Sequence, residues 1–125
     1  MFEMMLGIRT TAYIVKDLVG TKAWYAQAFR TEPYFDEPFY AGFNIQGYEL
    51  GLMPDGDKSN LKGENVLSYW GVENIEKKYN RLLKLGATEH EKPTNVLGEL
   101  MVCSVKDPWK NIIGLINNPY FKLPE

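Results

Sequence analysis

The chain has 125 residues, long enough for one compact domain whose core needs neither disulfides nor metal. Its 14 basic and 16 acidic residues give a formal net charge of −2 with no basic stripe, which argues against a nucleic-acid partner. A single cysteine excludes an intrachain disulfide, and a single histidine excludes metal sites that need two or three histidines from one chain.

No apolar run has the length of a membrane span, and the first residues lack the basic segment of a signal peptide. We therefore expect a cytoplasmic protein with no membrane partner. Aromatic residues make up 14% of the chain, which is typical of an aromatic-lined cavity or a tightly packed sheet and does not decide between them.

In the first half, β-branched and aromatic residues predict a strand over Ile8–Val15 and then a helix over Thr21–Phe29, capped by Asp17 or Thr21. The apolar residues of this helix recur at helical spacing at Ala23, Trp24, Ala28 and Phe29. Three extended segments follow, the first an edge or irregular strand because it contains Pro38, and the other two joined by a hairpin at Gly47: Tyr34–Phe39, Gly42–Gln46 and Tyr48–Met53.

The polar segment Pro54–Asn65 predicts a connecting loop and an internal boundary. The second half then repeats the order of the first, with a helix capped by Asn74 that ends at Gly86 and carries an apolar stripe. A turn is predicted at Asp107–Asn111. The strands predicted in this half are Val66–Val72, Thr88–Pro93, Leu100–Val105 and Ile112–Ile116.

The two halves are an internal repeat. Tyr13–Leu18 (Tyr-Ile-Val-Lys-Asp-Leu) aligns with Trp70–Ile75 (Trp-Gly-Val-Glu-Asn-Ile) at an offset of 57 residues, from position 13 to position 70. We predict an α+β fold of two tandem βαβββ modules, about residues 7–54 and 66–118, within one domain over 1–125.

Several fragments resemble those of the vicinal oxygen chelate superfamily, which includes glyoxalase I, bleomycin-resistance proteins and extradiol dioxygenases. They are Thr10–Leu18 as the opening strand, Trp24-Tyr25 in the first helix, Leu83–Ala87 at the end of the second helix, and Asp107–Asn111 as the turn before the last strand. The resemblance covers Gly7 to about Asn118. It implies a curved mixed sheet around a cavity, with the helices on the outside.

The resemblance also implies four positions that usually supply metal ligands in this superfamily. Here they are occupied by Thr10, Glu49, Leu67 and Gly114, so one carboxylate remains of the four. A lone carboxylate holds a divalent ion weakly. We therefore expect no metal and no other cofactor, and we do not expect metal-dependent glyoxalase or dioxygenase activity.

Glu49 is the candidate catalytic residue. Strand alternation places Tyr48, Leu50 and Leu52 on one face, and it places Glu49, Gly51 and Met53 on the other. If the first face packs on the helices, Glu49 points into the cavity, where desolvation would raise its pKa and suit it to act as a base. The alternative is a structural network in which Glu49 bonds a neighbouring Tyr, a Thr or Arg9.

The same alternation, started from the implied ligand positions, predicts a mostly apolar small-molecule pocket, with aromatic residues closing its mouth or packing at its rim. The predicted ligand-binding residues are Thr10, Ala12, Tyr40, Glu49, Met53, Leu67, Tyr69 and Gly114, with Ile14, Phe39, Ile112 and Ile116 around them. His90, among charged neighbours, is predicted to be a solvated surface residue. Cys103, among apolar ones, is predicted to be a buried inert thiol.

Three functions are compatible with these residues. The first is metal-independent binding of a small organic molecule, like the sequestration for which bleomycin-resistance proteins are known. The second is a metal-free isomerase or lyase that uses Glu49 as a general base on a carbonyl substrate. The third is an interaction module with a filled cavity. We also expect a homodimer, in which a partner would cover the aromatic and apolar tail residues Tyr120, Phe121 and Leu123.

Overall fold

The structure is a computed structural model that describes residues 6, 8–56, 62–63 and 66–121. The chain divides into two compact units, Met1–Asn60 and Leu61–Glu125, so the division lies in the segment predicted as a connecting loop. Within the described residues each unit contains one helix and one four-stranded mixed sheet. The predicted α+β fold of two βαβββ modules is therefore confirmed.

The first unit has its sheet in the order β1-β4-β3-β2. Strand β1 is parallel to β4, and the other neighbours are antiparallel. The short strand β2 lies at the edge, as predicted, with Pro38 in the turn that follows it. The elements are β1 (Thr10–Val15), α1 (Leu18–Ala28), β2 (Phe35–Glu37), β3 (Tyr40–Ile45) and β4 (Tyr48–Pro54).

Local sequence explains where these elements begin and end. The Asp17 side chain accepts a hydrogen bond from the Gly20 amide at 3.0 Å, so Asp17 rather than Thr21 caps α1. Gln46 and Gly47 both have positive φ, 54° and 93°, which is the backbone of a type I′ turn between β3 and β4. The buried stripe of α1 differs from the prediction, because it consists of Thr21, Tyr25 and Ala28, while Ala23 is exposed.

Helix α1 packs on one face of this sheet. Leu50, Leu52 and Phe43 are fully buried on that face, and the Tyr13 ring lies 5.9 Å from the Tyr25 ring of the helix. The opposite face carries Glu49 and the residues directly across from it in the neighbouring strands. The predicted alternation of β4 is therefore confirmed. We call the opposite face the open face of the first sheet.

The second unit has its sheet in the order β5-β8-β7-β6, with β5 parallel to β8. Strand β5 is shorter than predicted, although hydrogen bonds from Gly114 N to Ser68 O and from Val72 N to Ile116 O continue the pairing at both ends. The elements are β5 (Tyr69–Gly71), α2 (Ile75–Lys84), β6 (Thr88–Leu97), β7 (Leu100–Lys106) and β8 (Ile112–Asn117).

Strand β6 runs four residues past the predicted end at Pro93. It is an edge strand, and its pairing with β7 contains register shifts on both sides of Pro93, where a missing backbone N–H is tolerated. Helix α2 begins at the predicted cap, where the Asn74 side chain accepts from the Lys77 amide at 3.1 Å. It ends before Gly86, whose φ of +105° few other residues adopt.

The predicted turn at Asp107–Asn111 is confirmed and is built around one buried carboxylate. Asp107 Oδ1 accepts from the amides of Trp109 and Asn111, and Oδ2 accepts from the Asn111 side chain, each at 2.8 Å. In the described part of the chain, no helix is long and apolar enough to cross a membrane.

Candidate functional site

Glu49 lies on the open face of the first sheet, in the middle of three adjacent strands. Its register partners are Thr10 in β1 and Asn44 in β3. Because paired residues of neighbouring strands point to the same side of a sheet, the side chains of all three lie on the open face.

Both oxygens of the Glu49 carboxylate accept hydrogen bonds. Thr10 Oγ1 donates to Oε1 at 2.8 Å, and the Tyr34 hydroxyl donates to Oε2 at 2.5 Å. The Tyr34 hydrogen bond holds the pKa of Glu49 below its ordinary value, and the bond from Thr10 adds to this effect, while desolvation opposes it. The predicted raised pKa is therefore wrong, because the hydroxyl donors stabilise the charged form more than partial burial destabilises it.

The Tyr40 ring lies over the backbone of β4. A Cβ atom at Gly51 would collide with the Tyr40 hydroxyl, and a Cβ at Gly42 would lie 2.7 Å from Glu49 Oε2 and 3.1 Å from the Tyr34 and Tyr40 rings. The rings and the carboxylate thus pack directly against the backbone of two glycines, which we call the floor of the site, because neither position has a side chain. Burial, the Glu49 charge and a hydrogen bond to Glu49 raise the pKa of Tyr40 to about 12.

These residues form what we call the Glu49 cluster: Thr10, Tyr34, Tyr40 and Glu49 over the floor of Gly42 and Gly51. Phe35 extends it outward, with ring centroids 6.5 Å from Tyr34, 6.1 Å from Tyr40 and 5.9 Å from Phe39. Tyr34 and Phe39 are each 65% exposed. A charged group with ordered hydrogen bonds is therefore bordered by aromatic rings that face solvent.

The structure brings together three of the predicted ligand-binding residues of this unit: Thr10, Tyr40 and Glu49. The other two, Ala12 and Met53, lie further along the same face. Sequence reasoning missed Tyr34 and Gly42. The alternation of β4 pointed to Gly51, but the positions of Tyr34 and Tyr40 depend on pairing between strands.

In the second unit, the predicted residues Leu67, Tyr69 and Gly114 lie close together. Tyr69 is the register partner of Gly114. A Cβ at Gly114 would lie 2.5 Å from the Ser68 carbonyl oxygen, 2.9 Å from Tyr69 Cδ1 and 3.3 Å from Leu67 Cδ1. This position therefore has no room for the carboxylate side chain that the superfamily resemblance implies there.

His90 is not a freely solvated surface residue, which corrects the prediction. Its Nδ1 lies 2.8 Å from the Ser104 hydroxyl, and its side chain is 22% exposed. Ser104 is buried and is the register partner of Gly114, so the pair lies on the same face as Gly114. Cys103 is buried on the other face, and burial raises the pKa of its thiol to about 11, as expected of an inert cysteine.

The side chains at the implied ligand positions do not fit a divalent metal. The oxygens of Glu49 are engaged with hydroxyl donors, and Gly114 and Leu67 offer no donor atom. Among the residues that the structure describes, no group of three or more His, Cys, Asp or Glu side chains is placed to share a metal ion.

The chain belongs to the Glyoxalase/Bleomycin resistance protein/Dioxygenase superfamily, whose family model matches residues 7–115. No match was found among the curated proteins.

Solved structures show the same fold. The fosfomycin resistance protein FosX from Listeria monocytogenes is 22% identical, with a TM-score of 0.77 over 94% of this chain and 97% of that one. A glyoxalase-related enzyme from Fulvimarina pelagi is 15% identical, with a TM-score of 0.76 over 96% and 94%. A family enzyme from Burkholderia phytofirmans PsJN is 18% identical, with a TM-score of 0.74 over 86% and 95%.

Proposed function

We propose that this protein binds a small organic molecule on the open face of its first sheet, at the Glu49 cluster, without a metal ion. The observation that carries the proposal is the ordered carboxylate, fixed by Thr10 and Tyr34 and bordered by exposed aromatic rings. A few fixed polar groups among apolar surface are typical of small-molecule sites. This function is closest to the sequestration for which bleomycin-resistance proteins are known.

The lowered pKa of Glu49 favours binding over general-base catalysis. A carboxylate whose charged form is stabilised by Tyr34 and Thr10 has less tendency to take a proton from a substrate than an ordinary one. The same hydrogen bonds fix the direction of both oxygens, which suits recognition of a ligand. The isomerase or lyase alternative therefore has less support from the geometry.

Metal independence separates this proposal from what is known of one structural neighbour. A FosX variant from Listeria monocytogenes was crystallised with Mn(II) and 1S,2S-dihydroxypropylphosphonic acid. In this chain the four implied ligand positions are Thr10, Glu49, Leu67 and Gly114, and they provide one carboxylate for a metal. We therefore expect a ligand that binds without being coordinated to a metal ion, whereas that FosX structure contains Mn(II).

We also propose a cytoplasmic homodimer. Tyr120 is 59% exposed and Phe121 is 70% exposed, which supports an apolar surface for a partner subunit, whereas Leu123 lies outside the described residues. Light scattering coupled to gel filtration measures the mass directly, and a monomer at micromolar concentration would contradict the dimer.

A thermal-shift screen of a library of small organic molecules, run with and without the chelator EDTA, tests the binding proposal. We expect compounds that raise the melting temperature equally in both conditions and lose their effect in Glu49→Gln. Asp36→Asn is the matched control, because Asp36 lies in β2 and pairs with Lys22 at 2.8 Å on the helix-facing side. Hits that require a metal, or that are unchanged in Glu49→Gln, would contradict the proposal.

A further inference from the structure

The strands of the first sheet carry only acidic charges. Among β1 to β4, the charged residues are Asp36, Glu37 and Glu49. Asp36 is paired with Lys22, whereas Glu37 and Glu49 occupy the open face, by their register with Tyr40 and Asn44. The strand residues therefore give the open face two carboxylates and no cation.

The basic residue next to Thr10 in the sequence does not neutralise Glu49. Arg9 precedes β1, and its Nη1 donates to the Leu6 carbonyl oxygen at 2.6 Å. Among the described residues, the Glu49 carboxylate interacts with hydroxyl groups, those of Thr10, Tyr34 and Tyr40, and no cation lies within ion-pair distance of it. Within the described part of the chain, hydroxyl donors therefore order the carboxylate without neutralising its charge.

The rings around this charge are suited to a cation as well. Tyr34 and Tyr40 both interact with Glu49, and Phe35 lies within 6.5 Å of each of their ring centroids. The face of an aromatic ring attracts a positive group within about 6 Å of its centroid. A phenol that donates to a carboxylate has an electron-rich ring, which strengthens this attraction.

We infer that the ligand of the Glu49 cluster carries a positively charged nitrogen, as a protonated amine or a quaternary ammonium group, held between the Glu49 carboxylate and the rings of Tyr34 and Tyr40. The inference rests on the proposed function and names its ligand class. An anionic ligand would face the repulsion of Glu37 and Glu49 with no cation of the sheet to offset it.

Three probes of similar shape test the effect of ligand charge. They are choline, its uncharged carbon isostere tert-butylethanol, and tert-butylacetate, the carboxylate anion of tert-butylacetic acid. Each is titrated into nitrogen-labelled protein while amide NMR resonances are recorded. We expect choline to shift the resonances of Gly42 and Gly51 and to bind at least about tenfold more tightly than tert-butylethanol. The anion should not shift these resonances.

Substitutions show which side chains determine the affinity for choline. Glu49→Gln should reduce choline affinity to that of the uncharged isostere, and Asp36→Asn, which removes the same charge on the helix-facing side, should leave it unchanged. Tyr34→Ala, at an exposed position, should weaken choline by about threefold, the value of one exposed cation–ring contact. The Tyr34 variant keeps the test informative if the Glu49 variant unfolds.

The outcomes separate the inference from the proposed function. If tert-butylethanol or tert-butylacetate binds at Gly42 and Gly51 as tightly as choline, the site binds small molecules and the cationic ligand class is wrong. If choline shifts no resonance of this face, the inference is also wrong, and uncharged hits of the thermal-shift screen then decide the proposed function. If no compound of either experiment binds there, both are wrong.

Discussion

Replacing Gly114 by alanine tests how tightly the second sheet closes around this position. The new Cβ would lie 2.5 Å from the Ser68 carbonyl oxygen, which accepts the Gly114 amide at 3.1 Å in the pairing of β5 with β8. The obstacle is backbone inside a sheet and moves only if the pairing is distorted. Overpacking of this kind costs about 1–3 kcal/mol.

This cost converts to a melting temperature. The unfolding entropy is about 2.1 cal/mol/K per residue, or about 0.26 kcal/mol/K for 125 residues. A loss of 1 kcal/mol then lowers the melting temperature by about 4 °C, so Gly114→Ala should lower it by about 4–12 °C. Circular dichroism during heating measures the change.

Gly51→Ala is the informative contrast. Its Cβ would meet the hydroxyl end of Tyr40, a side chain that can swing away. We expect the free energy of unfolding to fall by less than about 1 kcal/mol. The pKa of Tyr40 should fall from about 12 toward its ordinary value, which a titration monitored by tyrosine absorbance measures. Gly71→Ala in β5 is the control, because its Cβ would meet nothing within 4 Å. Equal losses of stability in Gly51→Ala and Gly114→Ala, or no loss in Gly114→Ala, would show that the Ser68 backbone does not limit the space at Gly114.

Three further predictions concern single side chains. Tyr34→Phe should raise the pKa of Glu49, which carboxyl NMR measures. Because this pKa is lowered in the folded protein, the stability that Glu49 contributes is present above the ordinary pKa of 4.5 and is lost as the pH falls through the lowered pKa. The variant should therefore lose part of this stability at neutral pH. Cys103 should react slowly with a thiol reagent in the native protein and promptly in denaturant, and rapid native reaction would contradict its burial. Lys110→Gly should stabilise the protein by about 1 kcal/mol, measured by urea unfolding, because Lys110 has a φ of 73°; a destabilised variant would show that this conformation is not strained.

The sequence was sufficient for features set by local chemistry. The caps at Asp17 and Asn74, the turn at Gly47 and the edge position of the strand before Pro38 each follow from the conformational preference of one or two residues. The two faces of β4 follow from strict alternation, which placed Leu50 in the core and Glu49 on the open face.

The sequence was insufficient where non-local pairing decides. Tyr34 reaches Glu49 through the pairing of β2, β3 and β4, and this hydrogen bond reverses the direction of the pKa shift expected from burial alone. The prediction for His90 is wrong for the same reason, because its partner Ser104 is 14 residues away, on the neighbouring strand. Neither contact leaves a periodic pattern in the sequence.

We propose that the Glu49 cluster binds its ligand without a divalent metal. Plasma mass spectrometry of untagged protein, before and after soaking in zinc, nickel, manganese and iron(II) salts followed by desalting, tests it most directly. We expect a metal content close to zero per chain in every sample. A content of about one metal ion per chain that falls in Glu49→Gln would contradict it, because Glu49 would then be a metal ligand.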